Sequence, residues 1–195
     1  MIKGSERREA DYPVDKLFLD RWSPRALSGE EMPEEELLTL FEAARWAPSS
    51  YNNQPWRILY ARRGTEHWPT FLGLLVEGNR AWAEKAAALL VFVSKETFDF
   101  NGQPYPTHSF DTGAAWENLA LQASLNGLVA HGMQGFDYER ARTALGIPEG
   151  FRVEAMAAVG KPGRVEDLPQ HLREREAPSP RKKLAEVICE GPFRF

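Results

Sequence analysis

The residues that most restrict this chain are Ala86 to Val93, AAALLVFV, the longest apolar run in the sequence. Such a run is far too short to cross a bilayer, which takes roughly twenty residues as a helix. It cannot lie on a half-exposed sheet either, because every second residue of a strand would then face water. It fits a central strand buried on both faces, and that demands helices above and below. The chain supplies them. In "SGEEMPEEELLTLFEAARWAPSS", Pro33 suits a first helical position and Glu34, Glu35 and Glu36 suit the positive end of the helix dipole. Leu37, Leu40, Phe41 and Ala44 recur on one face, and Pro48 stops the helix. A second long helix is predicted in "FDTGAAWENLALQASLNG", closed by Gly127. Its small and apolar residues (Ala114, Ala115, Trp116, Leu119, Ala120, Leu121, Ala123, Leu125) spread round most of the circumference, so it is expected to be buried nearly all round.

The remaining pattern completes an α+β chain with four strands and helices in the majority. "WRILYARR", "LVAHGMQGF" and "RVEAMAAVGKPG" read as further strands. Shorter helices are expected near Val14 to Phe18, from about Glu66 to Val76, from Asn79 to Ala86, and in "DYERARTALG", where Asp137 suits an N-cap. "TFDFNGQPYPTHS" reads as a loop, and "RKKLAEVICEG" as a last helix. With 195 residues and no repeats, a single domain over 1–195 is expected. It has a frayed lead-in over about 1–12. A proline-rich, charged arm over about 162–195 should wrap a surface or a partner subunit.

The formal net charge of −4 gives no global reason to expect nucleic acid or a membrane surface as partner. The single cysteine, Cys189, has no intrachain partner and fits a reducing compartment. The charged opening "MIKGSERREADYP" leads into no apolar stretch, so no signal peptide is expected and a cytoplasmic location is.

Common catalytic signatures are missing. The chain has no G-x-G-x-x-G or G-x-x-x-x-G-K-S/T loop, no G-x-S-x-G elbow, and four scattered histidines without metal-ligand spacing, so no metal site is expected. What it has are polar clusters. "RWSPR" carries Arg21, Ser23 and Arg25 at alternate positions; two guanidiniums and a hydroxyl make an anion clamp, or simply an exposed basic turn. "APSSYNNQPW" gathers Ser49, Ser50, Asn52, Asn53 and Gln54 between two prolines, with no acid, base or nucleophile. Such groups both donate and accept, which suits a polyol or the edge of a heteroaromatic ring, although serine and asparagine also form ordinary turns. "SPRKKLAEV" puts Arg181, Lys182 and Lys183 at an expected helix start, where cations are unfavourable unless an anion offsets them. "HGMQGFD" joins a strand end, a glycine turn and an N-cap, and Gly135 would let a ligand approach the backbone closely.

These pieces, in this order, resemble the FMN-dependent nitroreductase family. The likeness runs from about Pro13 to Gly191. "DRWSPRAL" is similar to the family's N-terminal R-x-S-x-R element, "EAARWAPSSYNNQPWRI" to its most characteristic stretch, "DTGAAWENLALQASLNGL" to its central helix, "MQGFD" to the glycine turn, and "PRKKLAEV" to its C-terminal basic element. Proline often stands in the family where this chain has Lys183. The resemblance implies a mostly antiparallel sheet flanked by helices, and a homodimer with FMN at the subunit interface. It also accounts for a site without acid or base, since the cofactor carries the chemistry.

By the same resemblance, Arg21, Ser23, Arg181 and Lys182 serve the FMN phosphate. Arg25 stands near the ring's N1–C2 carbonyl region. Ser49, Ser50, Asn52 and Gln54 line the ribityl chain and ring, the backbone at Gln134 and Gly135 faces N5, and Trp22 packs beside the flavin or fills core. NAD(P)H would be the reductant. The acceptor would be an electron-poor small molecule such as a nitroaromatic or quinone, with the loop Phe98 to Ser109 facing it. Flavin storage or sensing without turnover, or another flavin chemistry, remain the rival expectations.

Overall fold

In a computed structural model that describes residues 2–195, the apolar run enters strand β2 (Ala88–Lys95) of a four-stranded sheet. The other strands are β1 (Trp56–Arg62), β3 (Val129–Met133) and β4 (Phe151–Gly160), in the order β1-β2-β4-β3. Every pairing is antiparallel. The period of two explains the unbroken apolar run. Leu89, Val91 and Val93 enter one core with Phe71, Trp82 and Phe136, while Ala88, Leu90 and Phe92 enter a second core with Leu37, Leu40 and Leu119. Full burial of each large side chain contributes about 1.5–3 kcal/mol.

Two helices cover one face: α2 (Glu34–Arg45) and α5 (His108–Leu125), packed on each other and tied where Asn118 Nδ2 donates to the Ala43 carbonyl at 3.2 Å. Short α1 (Lys16–Asp20) precedes them. The opposite core is covered by α3 (Trp68–Leu74), α4 (Glu77–Ala83) and α6 (Tyr138–Ala144), the last capped by Asp137, whose side chain accepts from the Arg140 amide. Pro33 stands just outside α2 as its cap, not at its first turn.

Two further expectations need correction. Helix α5 is not buried all round: Phe110, in its first turn, is 80% exposed and Leu125, its last residue, 63%. The last helix shrinks to one 3-10 turn, Leu184–Glu186, because residues 179–195 are exposed throughout and no apolar face docks. Earlier in the tail the chain is held down. Short α7 (Gln170–Arg173) anchors through buried Leu168 and Leu172, and Glu176 is buried behind them.

Candidate functional site

The R-x-S-x-R segment is extended, so alternate side chains face opposite ways. Trp22, Pro24 and Ala26 are buried, while Arg21, Ser23 and Arg25 are partly open. Trp22 is a core residue, its indole Nε1 donating to the Ile2 carbonyl at 2.8 Å. Three groups that no sequence motif marked hold this segment. Arg8, from the lead-in, donates through Nη1 to the Leu19 and Arg21 carbonyls at 3.0 and 2.8 Å, and through Nε to the Ser179 carbonyl at 2.8 Å. Glu176, from the tail, accepts from the Arg25 and Ala26 amides at 2.6 and 2.9 Å, with the Arg25 guanidinium 3.8 Å away. His131, from β3, donates through Nδ1 to the Pro24 carbonyl at 2.9 Å.

The electrostatics follow from that packing. Burial lowers the Arg8 pKa, and the charges of Arg181 and Arg21, whose neighbouring carbonyls Arg8 binds, lower it further. Arg21 also lies 3.3 Å from Glu117 on α5. Lys182 is exposed, and Lys183 is drawn off to Asp11 at 3.7 Å.

The polar loop has an unusual backbone. Tyr51, Asn52 and Gln54 all take positive φ, at 53°, 52° and 50°. Such left-handed residues cost of order 1–3 kcal/mol each and persist only where their surroundings impose them. Here Ser49 Oγ accepts from the Gln54 amide at 3.0 Å, Gln54 Nε2 donates to the Asn52 carbonyl at 3.0 Å, and Asp111 Oδ2 accepts from the Ser50 amide at 2.9 Å. Asp111 also accepts the Tyr105 hydroxyl. Burial, then the Asp111 hydrogen bond, pushes the Tyr105 pKa up to about 12. Tyr51 projects into solvent against Phe98 and Phe100 of the 98–109 loop, with ring centroids 5.7 and 5.6 Å away.

The glycine turn after β3 is built around its carbonyl. Gly135 O accepts from the Val76 amide and from Asn79 Nδ2, both at 3.1 Å, and a Cβ here would sit 2.6 Å from that Nδ2. Among the described residues, the amides of Gln134 and Gly135 donate to no protein acceptor. Gln134 opens onto a cleft of about 490 Å³ between α5, the end of β3 and the middle of β4. Phe92, Trp116, Met133 and Met156 make its apolar wall; Ser109 and Glu154 make its polar end. The bare Gly132 lets Trp116 lie alongside, 3.1 Å from where a Cβ would stand.

One chain ties the Arg21–Arg25 segment to Arg8, to Glu117 on α5 and, through His131, to β3, whose next residue, Gly132, faces the other side of the strand and lines the cleft. It does not bring Ser49, Ser50, Asn52 and Gln54 to them. The loop is tied to Asp111 and Arg21 to Glu117, six residues later on α5, which is about 120° round the helix and about 9 Å along it. Arg8 and Glu176 were missed because one sits in a frayed-looking lead-in and the other in a charged run, where one ionic side chain resembles the next.

Residues 19–72 and 65–161 match the model of the Nitroreductase family. A crystal structure of an oxidoreductase containing FMN is 50% identical, with a TM-score of 0.93 and 99% of each chain covered. A protein of Desulfovibrio desulfuricans, solved in complex with FMN, is 26% identical over 95% of this chain and 100% of that one, with a TM-score of 0.71. The NADH dehydrogenase of Thermus thermophilus is 29% identical over 194 residues, 84% of this chain and 94% of that protein.

Proposed function

This chain belongs to the nitroreductase family, and from that premise we infer its chemistry. It is an FMN-dependent oxidoreductase with NAD(P)H as reductant. We propose that it passes electrons to an electron-poor small molecule, a nitroaromatic or a quinone, and works as a homodimer. A free, exposed Cys189 fits a reducing compartment, for which we propose the cytoplasm.

The observation that carries the reading is that Arg8 holds the Arg21 and Ser179 carbonyls together, which sets its guanidinium among the charges of Arg21 and Arg181. Like charges gathered on partly buried ground repel, and a doubly charged phosphate would offset that repulsion with charge-assisted hydrogen bonds. The chain's groups fit the cofactor from end to end. Arg8, Arg21, Ser23, Arg181 and Lys182 would hold the phosphate. Ser49, Ser50, Asn52 and Gln54 would line the ribityl chain and ring. The unused amides of Gln134 and Gly135 would face N5. Arg25 would stand by the ring carbonyls, its position set by Glu176. Bound FMN supplies the hydride and electron chemistry itself. Because the loop and the arginines sit on different sides of α5, the ribityl contacts would come from a second copy. The open cleft beside Gln134 supports turnover over storage, since a storage module needs no room for an acceptor.

Purified protein should be yellow, release FMN and not FAD on denaturation, and bleach when NADH is added without oxygen. Adding a quinone should then restore the colour. A colourless protein that also fails to take up added FMN would refute the reading.

A further inference from the structure

The polar end of the cleft is unused by the flavin reading. Glu154 is a bulged residue of β4: Val153 pairs with Val93 and Ala155 with Phe92, which leaves it without a partner. A bulge re-aims a side chain, and this one lines the cleft beside Ser109. Glu154 Oε1 accepts from Ser109 Oγ at 2.6 Å and from Ser94 Oγ at 2.5 Å. Ser94 is fully buried, and its one proton is committed to Glu154. Its oxygen therefore accepts from His108, whose Nδ1 is 2.7 Å away. His108 Nδ1 also lies 3.3 Å from Ser109 Oγ and 3.5 Å from Glu154 Oε1, so the groups form a tight cluster in which Ser94 makes the shortest link from imidazole to carboxylate, with Glu154 at the cleft. Arg152 Nε, 4.0 Å from Glu154 Oε2, is the other charged group at this carboxylate. Fastening the start of α5 to β4 would need only the Ser109 bond. It does not account for a buried hydroxyl and an imidazole aligned behind an acid whose second oxygen stays free of hydrogen bonds.

We propose that Glu154 is the proton donor to the acceptor reduced in this cleft, and that His108 reprotonates it through Ser94. This rests on the flavin reading. Each two-electron reduction of a quinone or nitro group consumes one hydride and one proton. Bound reduced FMN would supply the hydride, giving up its N5–H bond to the acceptor. The O–H bond of Glu154 breaks as its proton passes to an acceptor oxygen. In its imidazolium form His108 then gives its Nδ1 proton to Ser94, Ser94 gives its own to Glu154, and solvent recharges His108. A quinone ends as hydroquinone; a nitro group loses one oxygen as water and ends as nitroso. The electrons come from NAD(P)H in both cases.

The test separates proton transfer from electron transfer. Reduced holoenzyme is mixed with benzoquinone and, separately, with ferricyanide, which takes electrons and no proton. Glu154→Gln keeps an acceptor for both serine hydroxyls, and it should slow the quinone reaction about a hundredfold while ferricyanide stays within about twofold. Reduction by NADH should be unchanged, His108→Gln should fall between, and Glu154→Asp should recover part of the quinone rate. A second readout needs no flavin: p-nitrophenolate should lose its phenolate absorbance on binding flavin-free wild type and keep it with Glu154→Gln. An unchanged quinone rate, equal slowing with ferricyanide, or p-nitrophenolate behaving alike in both proteins overturns the proposal. Protein that takes up no FMN refutes the flavin reading instead, and the phenolate measurement still reports on Glu154.

Discussion

His131 shows how one side chain ties the arginine segment to the body. Its ring packs against Trp82, tilted by 42° with centroids 4.6 Å apart, and its Nδ1–H reaches the Pro24 carbonyl. Burial pushes its pKa down to about 4, and the charges of Arg25 and Arg21 act in the same direction, against the hydrogen bond to Pro24. In the unfolded chain the same imidazole takes a proton near its ordinary value of 6.5. Between these values the unfolded state binds more protons, so the stability is whole above 6.5 and is lost as pH falls toward 4. At about 1.4 kcal/mol per pH unit, the full effect is about 3 kcal/mol. Melting temperatures from about pH 7 to about pH 4.5 should therefore fall more steeply for wild type than for His131→Gln. Parallel curves would mean that the folded protein protonates His131 freely. Histidine identity was readable from the sequence; its neutrality was not, because burial and the two arginines come from tertiary contacts.

At the level of elements, the loop 49–54 depends on a helix some sixty positions away in sequence. Asp111, in the first turn of α5, holds the Ser50 amide and the Tyr105 hydroxyl, and so keeps three left-handed residues in place. Asp111→Ala removes the acceptor of the Ser50 amide and leaves the Tyr105 hydroxyl only the Ser50 carbonyl at 3.4 Å, at about 1–3 kcal/mol in all. We expect a denaturant midpoint lowered by that order and faster hydrogen exchange at Ser50. FMN affinity should also weaken, because a relaxed loop no longer presents Ser49, Asn52 and Gln54 together. If exchange at Ser50 is unaltered, Asp111 is not what fixes the loop. The loop's composition was plain in "APSSYNNQPW". Its left-handed backbone was not, since tyrosine, asparagine and glutamine carry no local demand for it.

For the whole molecule, the open side of α5 is the decisive surface. Phe110 and Leu125 are exposed on a helix whose other sides are packed, and the exposed tail ends in Phe193 and Phe195. A homodimer burying α5 against its copy, with the tails laid across, would remove this apolar area from water and bring each loop 49–54 to the partner's arginines. Stability, association and flavin retention should then be linked. Sedimentation across a dilution series, with flavin fluorescence read in parallel, should show flavin leaving as the dimer dissociates. A folded monomer that keeps its flavin would contradict a shared site.

The sequence by itself determined the layers and the family. An apolar run with no polar break suits an inner strand, and "RWSPR", "APSSYNNQPW" and "MQGFD" are contiguous, so local order preserves them. Tertiary structure alone decided which charges meet. Arg8, Arg21 and Arg181 are joined across the whole chain, Glu176 reaches back to Arg25, and Glu154 turns into the cleft through a bulge. Electrostatic and hydrogen-bonded partners are set by distance in space. Unlike apolar residues on a helix or strand, they leave no period in the sequence from which that distance can be read.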